Sequence, residues 1–177
     1  MGRLFHTLPR KRTDMTREEF KTLADRGVIL LDGATGSNMM AAGMPRGIST
    51  ELWILEHPKP LVELQRAYVK AGSQIIYAPT FSCNPYSMKN FGKETEIREL
   101  NRSLVALSKE AAGGKAYVAG DMTTTGKMME PRGEMSYEKL FSIYTAQAEA
   151  LLEAGVDLFA VETMLGDDET SVALDAI

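Results

Sequence analysis

Three acidic side chains stand where apolar runs of the sequence stop, and together they could bind a ligand. Asp32 ends VILLD, Asp121 ends AYVAGD, and Glu162 lies near the end of LFAVET, while a fourth run, QIIYAPT, ends on Thr80. If the four runs are parallel strands, their carboxyl ends meet at one edge of the sheet, where α/β proteins bind ligands. Taken singly, each residue could equally cap a helix or tie loops together. Gathered at one edge, the carboxylates favour a binding function.

The glycine-rich turn after Asp32, Gly33–Gly36 (GATG), suggests which ligand. It lacks the Lys of a Walker loop, and it does not match the Gly-x-Gly-x-x-Gly fingerprint of dinucleotide-binding proteins. Backbone amides of such a turn can bind a carboxylate while Asp32 accepts hydrogen bonds from an ammonium group. The turn therefore favours a small amino acid over a nucleotide, with Gly33 and Gly36 at the binding site.

The loop over 78–85 adds hydroxyls, an amide and the aromatic wall of Phe81. It also contains Cys83, which could be a nucleophile. The two histidines, His6 and His57, are distant in sequence, so packing of a small thiol is the favoured interpretation. One cysteine and two distant histidines give no zinc-ligand spacing.

These residues require a scaffold of strands alternating with helices. The strands are predicted over 28–32, 74–80, 116–121 and 158–163, each nearly all apolar, as in parallel strands covered on both faces. Helices are predicted over 16–26, 60–71, 94–112, 136–154 and from 167 or 168 onward. Thr16 and Glu19 form a predicted capping box, Ser136 a predicted N-cap, and Gly72 and Gly155 predicted helix ends.

This alternation predicts a parallel sheet with right-handed crossovers. A closed (β/α)8 barrel needs about 250 residues, so four units correspond to a parallel (β/α) half-barrel, the first four strands of a TIM-type barrel. The sheet of such a unit would expose its edges and inner face. We therefore expect a homodimer or a larger assembly.

The composition is that of an ordinary globular domain: 177 residues, 44% apolar, 25% charged, with a formal charge of -4. Mild acidity argues against nucleic acid as a partner, and the basic run 10–12 is interpreted as part of a flexible terminus, residues 1–15, ahead of one domain over 16–177. No apolar run predicts a membrane span or a secretory signal. One cysteine excludes an internal disulfide, and we expect a cytoplasmic protein.

The motifs carry a family resemblance in their order and spacing. They are LLDGATGSNM, ELWIL, VKAGSQIIYAPTFSCN, IRELNRSLVAL, VAGDMTTTG and YTAQAEALLEAGVDLFAVETM. Together they resemble the homocysteine S-methyltransferase family over residues 27–177. That family includes the homocysteine domain of cobalamin-dependent methionine synthase and the enzymes that use betaine or S-methylmethionine.

The resemblance implies a (β/α)8 barrel that transfers a methyl group to the thiolate of homocysteine in methionine synthesis. It implies that Asp32, the Gly33–Gly36 turn, Thr80 and Phe81 lie at the homocysteine pocket. It also implies that Glu162 helps to hold the substrate amino group, and that Asp121 is the aspartate ending the third strand.

The resemblance further implies zinc bound by three cysteines, one after the sixth strand and a pair near the eighth, which would favour the thiolate of the substrate. The 177 residues contain neither segment, and Cys83 matches none of these ligands. We therefore expect an N-terminal portion that holds no metal and transfers no methyl group alone. The donor stays open among methylcobalamin with folate, S-methylmethionine, betaine and a corrinoid protein. The alternative is a non-catalytic half-barrel that self-assembles and binds a small amino acid.

Overall fold

The computed structural model describes residues 15–177, and the basic run 10–12 lies outside them. Within the described range the sheet has three parallel strands in the order β1, β2, β3. They are β1 Ile75–Ala78, β2 Tyr117–Met122 and β3 Leu158–Val161. Ile75 aligns with Tyr117, and Ala119 aligns with Leu158. The predicted α/β class and parallel sheet are confirmed.

Eight α-helices and one short 3-10 helix, Lys89–Phe91, accompany these strands in the described range. The α-helices are α1 Arg17–Asp25, α2 Gly36–Ala41, α3 Thr50–Glu56, α4 Pro58–Ala71, α5 Pro85–Met88, α6 Ile97–Ala112, α7 Tyr137–Ala154 and α8 Asp167–Asp175. The five predicted helices correspond to α1, α4, α6, α7 and α8, whereas the short α2, α3 and α5 were not predicted. None of the helices in residues 15–177 is long and apolar enough to cross a membrane.

The predicted first strand, 28–32, is the main correction to the fold. Only Leu31 pairs with β1, as an isolated parallel bridge to Ile75. The Gln74 amide donates to the Leu30 carbonyl at 2.8 Å, and the Asp32 amide donates to the Ile75 carbonyl at 3.1 Å. Among residues 15–177 this segment pairs with β1 alone, and Val28, Leu30 and Leu31 are 86%, 51% and 47% exposed. The described residues therefore form three strands and do not confirm the predicted four-stranded half-barrel, although the run does lie beside β1.

Local end signals fix several helices as predicted. In the capping box of α1, the Thr16 amide donates to Glu19 Oε2 at 2.8 Å and the Glu19 amide donates to Thr16 Oγ1 at 3.1 Å. Ser136 caps α7 by accepting from the Lys139 amide at 3.3 Å. Gly72 and Gly155 end α4 and α7 with φ of 114° and 82°, a conformation that favours glycine.

The main core packs helices α6, α7 and α8 against the sheet, with residues such as Ile76, Val118 and Leu151 fully buried. A second core lies under α2, α3 and α4 and includes Ile54 and Leu61. Burial of this apolar surface holds the elements in place. The two cores fix the carboxyl ends of the strands, where the acidic residues lie.

Candidate functional site

A cavity of about 760 Å³ opens at the carboxyl ends of the strands. Its lining comes from the segment before α2, the start of α3, the loop after β1 and the ends of β2 and β3. Six of the seven residues predicted for binding line it: Asp32, Gly33, Gly36, Phe81, Asp121 and Glu162. The topology therefore brings together side chains that are 130 positions apart in sequence.

Asp32, which lies just before the Gly33–Gly36 turn, is half-buried and lines the cavity. Its Oδ2 accepts a hydrogen bond from the Tyr77 amide at 3.1 Å. Burial raises the pKa of Asp32 to about 6, and the charge of Glu162 adds to that rise, whereas the Tyr77 amide opposes it. Asp32 thus changes its charge near neutral pH.

Asp121 is the most deeply buried acid of the predicted set, with 6% of its surface exposed. Its Oδ1 is buried and has no hydrogen-bond partner. The pKa of Asp121 is raised to about 8. Burial is the largest cause, and the negative charges of Glu162, Asp32 and Glu51 add to it in that order. A buried carboxyl oxygen without a partner, on the wall of a cavity, is suited to contact a ligand.

Thr80 is placed differently from the other predicted residues. It is fully buried and is not among the residues that line the cavity. Its hydroxyl donates to the Asp121 carbonyl at 2.9 Å and accepts from the Asp121 amide at 3.0 Å. The Gln147 amide group donates to the Thr80 carbonyl at 2.7 Å. In this structure Thr80 positions the backbone of Asp121.

The two glycines of the turn have different surroundings. A Cβ at Gly33 would lie 2.8 Å from the Tyr68 hydroxyl oxygen and 3.1–3.2 Å from two of its ring carbons. A Cβ at Gly36 would meet nothing within 4 Å. A side chain at position 33 would therefore displace the end of the Tyr68 side chain, whereas one at position 36 would meet open space.

Sequence reasoning missed several residues of the cavity, of which Tyr77 and Glu51 are the ionisable ones. The Tyr77 ring is half-buried, and its pKa is raised by burial and then by Glu162, Asp121 and Asp32. Glu51 is 6% exposed, and it accepts from the Ser82 amide at 2.9 Å and from the Ser49 hydroxyl at 2.7 Å. Tyr77 could have been found from the two-residue alternation of a strand. Nothing in the local sequence indicates that Glu51 is buried.

Cys83 and His57 are the cysteine and histidine of the described residues, and they do not form a zinc site. Cys83 is fully buried. Its burial raises the pKa of the thiol, and the negative charge of Glu51 adds a smaller rise. The His57 ring stacks on Trp53 with centroids 4.7 Å apart. Over residues 15–177, no group of three or more His, Cys, Asp or Glu side chains could hold a metal ion. The zinc implied by the family resemblance therefore does not fit the residues present here.

The chemistry open to this cavity is the binding of a positive charge. Four carboxylates line it, from Asp32, Glu51, Asp121 and Glu162, and its described lining includes no Lys, Arg or His. An ammonium group would supply hydrogen-bond donors to these oxygens and relieve their mutual repulsion. Phe81 and Phe91 add apolar wall for the rest of a small molecule.

The sequence and the fold of this chain are similar to those of one protein family. The family described as homocysteine S-methyltransferase matches residues 29–177. The chain is 29% identical over 148 residues to the methionine synthase of Mycobacterium tuberculosis (strain ATCC 25618 / H37Rv), covering 77% of this chain and 12% of that protein. It is 28% identical over 163 residues to the homocysteine S-methyltransferase of Escherichia coli (strain K12), covering 80% of this chain and 52% of that protein.

A solved structure gives the same result. The homocysteine methyltransferase MmuM from Escherichia coli, in its metallated form, matches with a TM-score of 0.77 and 25% identity, covering 89% of this chain and 61% of that one. The chain thus spans about half of the Escherichia coli enzyme and about an eighth of the mycobacterial one. Since the family match extends over most of its length, the chain belongs to the homocysteine S-methyltransferase family.

Proposed function

We propose that this chain forms the amino-acid-binding part of a homocysteine S-methyltransferase, built on the first units of a (β/α)8 barrel. One observation carries the proposal. Asp32, Asp121 and Glu162 line one cavity, and the buried Asp121 Oδ1 has no partner. The names of the matched relatives support homocysteine as the substrate and its sulfur as the methyl acceptor.

In this proposal the residues bind and orient the substrate. The ammonium group lies against Asp121, Asp32 and Glu162, and the carboxylate lies toward the backbone of the Gly33–Gly36 turn. Phe81 covers the aliphatic part of the molecule. The thiolate is the nucleophile in such a transfer, because a thiol is a far weaker one. Over residues 15–177 no group of three or more His, Cys, Asp or Glu side chains could hold a metal ion, and the role we propose for these residues is to bind and orient the substrate.

The test is calorimetry with L-methionine and L-homocysteine at pH 8. We expect Asp32→Asn and Glu162→Gln each to weaken binding roughly 10- to 100-fold, since a hydrogen bond to a charged group contributes about 1.5–3 kcal/mol. Binding should also tighten from pH 5 to pH 8, because Asp32 and Asp121 lose their protons near 6 and 8 and become able to attract a cation.

Two controls make this test specific. Glu63→Gln removes an exposed carboxylate of α4 that lies outside the cavity lining, and it should leave the affinity unchanged. The second control is 4-(methylthio)butanoic acid, which is methionine without its amino group. If this acid bound as tightly as L-methionine, the proposed ammonium site would be wrong.

A specific observation also favours self-association. β3 pairs with β2 on one side alone in the described sheet, and Val28, Leu30 and Leu31 at the other edge are 86%, 51% and 47% exposed. Exposed strand edges with apolar side chains favour pairing with another chain.

We therefore propose a homodimer or larger assembly. Light scattering at micromolar concentration should give at least twice the 19.5 kDa of the chain. Val28→Glu, which changes an exposed side chain, should weaken the association, and Phe20→Glu on α1, where Phe20 is 43% exposed, is the matched control. A folded monomer of the unmodified chain would contradict this proposal.

A further inference from the structure

Glu51 is a buried carboxylate that belongs to the cavity but comes from outside the sheet. It lies in the first turn of α3, whereas the other three acids lie at the edge of the sheet. Its two oxygens have separate partners: Oε1 accepts from the Ser82 amide at 2.9 Å, and Oε2 accepts from the Ser49 hydroxyl at 2.7 Å. Glu51 thus connects α3 to the loop after β1, which carries Phe81.

Glu51 also acts on the other acids through its charge. The side chains whose charges act on Asp121 are Glu162, Asp32 and Glu51, in that order, and the Tyr77 phenol lines the same cavity. All of these are neutral or negative, and no cationic side chain occurs among the described lining residues. The buried Asp121 Oδ1 has no partner to share its charge. Each additional negative charge therefore makes ionisation of Asp121 less favourable.

We propose that Glu51 is a positioning residue with two actions: it anchors the loop after β1, and its negative charge adds to the repulsion among the cavity acids that a cationic ligand relieves. Binding of an ammonium group then releases a proton from Asp121 to solvent. The second action rests on the proposed function, whereas the ligand-free state of Asp121 can be measured without any substrate.

Two variants separate the two actions. Glu51→Gln keeps an oxygen for the Ser82 amide and removes the charge. Glu51→Asp keeps the charge and shortens the side chain. In the ligand-free protein, the carboxyl ¹³C resonance of Asp121 should titrate with a midpoint near 8 in the wild type. We expect that midpoint to fall in Glu51→Gln, by less than it falls in Glu162→Gln because Glu162 acts more strongly on Asp121, and to stay nearly unchanged in Glu51→Asp.

Hydrogen exchange of the Ser82 amide reports the anchoring. We expect exchange to accelerate roughly tenfold in Glu51→Asp, because the shorter side chain no longer reaches this amide, and to change little in Glu51→Gln. With L-methionine as the probe, the pH profile of binding should move to lower pH in Glu51→Gln. A purely structural role would leave that profile in place.

The outcomes distinguish this inference from the proposed function. An unchanged Asp121 midpoint in Glu51→Gln would overturn the electrostatic action of Glu51. Unchanged Ser82 exchange in Glu51→Asp would overturn the anchoring. If the wild type did not bind L-methionine, the proposed function would fail, whereas the two ligand-free measurements would still decide the role of Glu51.

Discussion

Asp121→Asn is expected to stabilise the folded protein at pH 8 by on the order of 3 kcal/mol relative to the wild type, and to have little effect near pH 4. The physical reason is the environment of Asp121. Its carboxyl group is buried, Oδ1 has no partner, and three other carboxylates repel its charge. The neutral amide of asparagine resembles the protonated acid and avoids this cost.

The sign follows from proton linkage. The pKa of Asp121 is about 8 in the folded state, against 3.8 for an unperturbed side chain. Between these values the folded state binds more protons than the unfolded state, so stability falls as pH rises from about 4 to about 8 and levels off above the folded-state pKa. The full difference between the folded and unfolded pKa values corresponds to a loss of roughly 6 kcal/mol in the free energy of unfolding. We expect about half of it, because the site can relax and admit water when the group ionises.

Urea denaturation at pH 4.5, 6 and 8 measures this effect. The stability difference between Asp121→Asn and the wild type should grow steadily over that range. Asp25→Asn, at an exposed position of α1, is the matched control and should give a similar difference at all three pH values. A difference for Asp121→Asn that did not vary with pH would show that the group is ionised throughout.

The features that could be predicted from the sequence are those with local causes. The capping box at Thr16 and Glu19 and the left-handed helix ends at Gly72 and Gly155 depend on neighbouring residues alone. The helices longer than eight residues were also predictable, because several turns of apolar periodicity identify them. The convergence of Asp32 with Asp121 and Glu162 followed from parallel-sheet topology.

The features that sequence reasoning missed depend on distant partners. Residues 28–32 have the composition of a buried strand, yet their pairing depends on which segments lie beside them, and only Leu31 forms a bridge. The helices α2, α3 and α5 have at most seven residues, too few to show a period. The burial of Glu51 depends on its contact with Ser82, 31 positions away. Thr80 was predicted for the substrate site, but its hydroxyl is bonded to the backbone of Asp121.

Gly33→Ala is expected to destabilise the protein by about 1 kcal/mol, below the range for a well-packed core because the Tyr68 side chain is partly exposed, whereas Gly36→Ala, three positions later, should be neutral or slightly stabilising. The added methyl group at Gly33 would lie 2.8 Å from the Tyr68 hydroxyl oxygen, which donates to the Ala34 carbonyl at 3.3 Å. Either the Tyr68 ring or the turn must move. Gly36 begins α2 with open space around it, and alanine is the better helix former.

Thermal unfolding of both variants tests the difference, since 1 kcal/mol shifts the Tm of a domain of this size by roughly 2–4 °C. Tyr68→Phe supplies a further control because it removes the nearest atom. In the double variant Gly33→Ala/Tyr68→Phe, part of the loss should be recovered, which gives a favourable coupling free energy between the two positions. Equal Tm values for Gly33→Ala and Gly36→Ala would contradict the steric role of Tyr68. Because Gly33 directly follows Asp32, a displaced turn should also weaken the binding of L-methionine in Gly33→Ala and leave it unchanged in Tyr68→Phe.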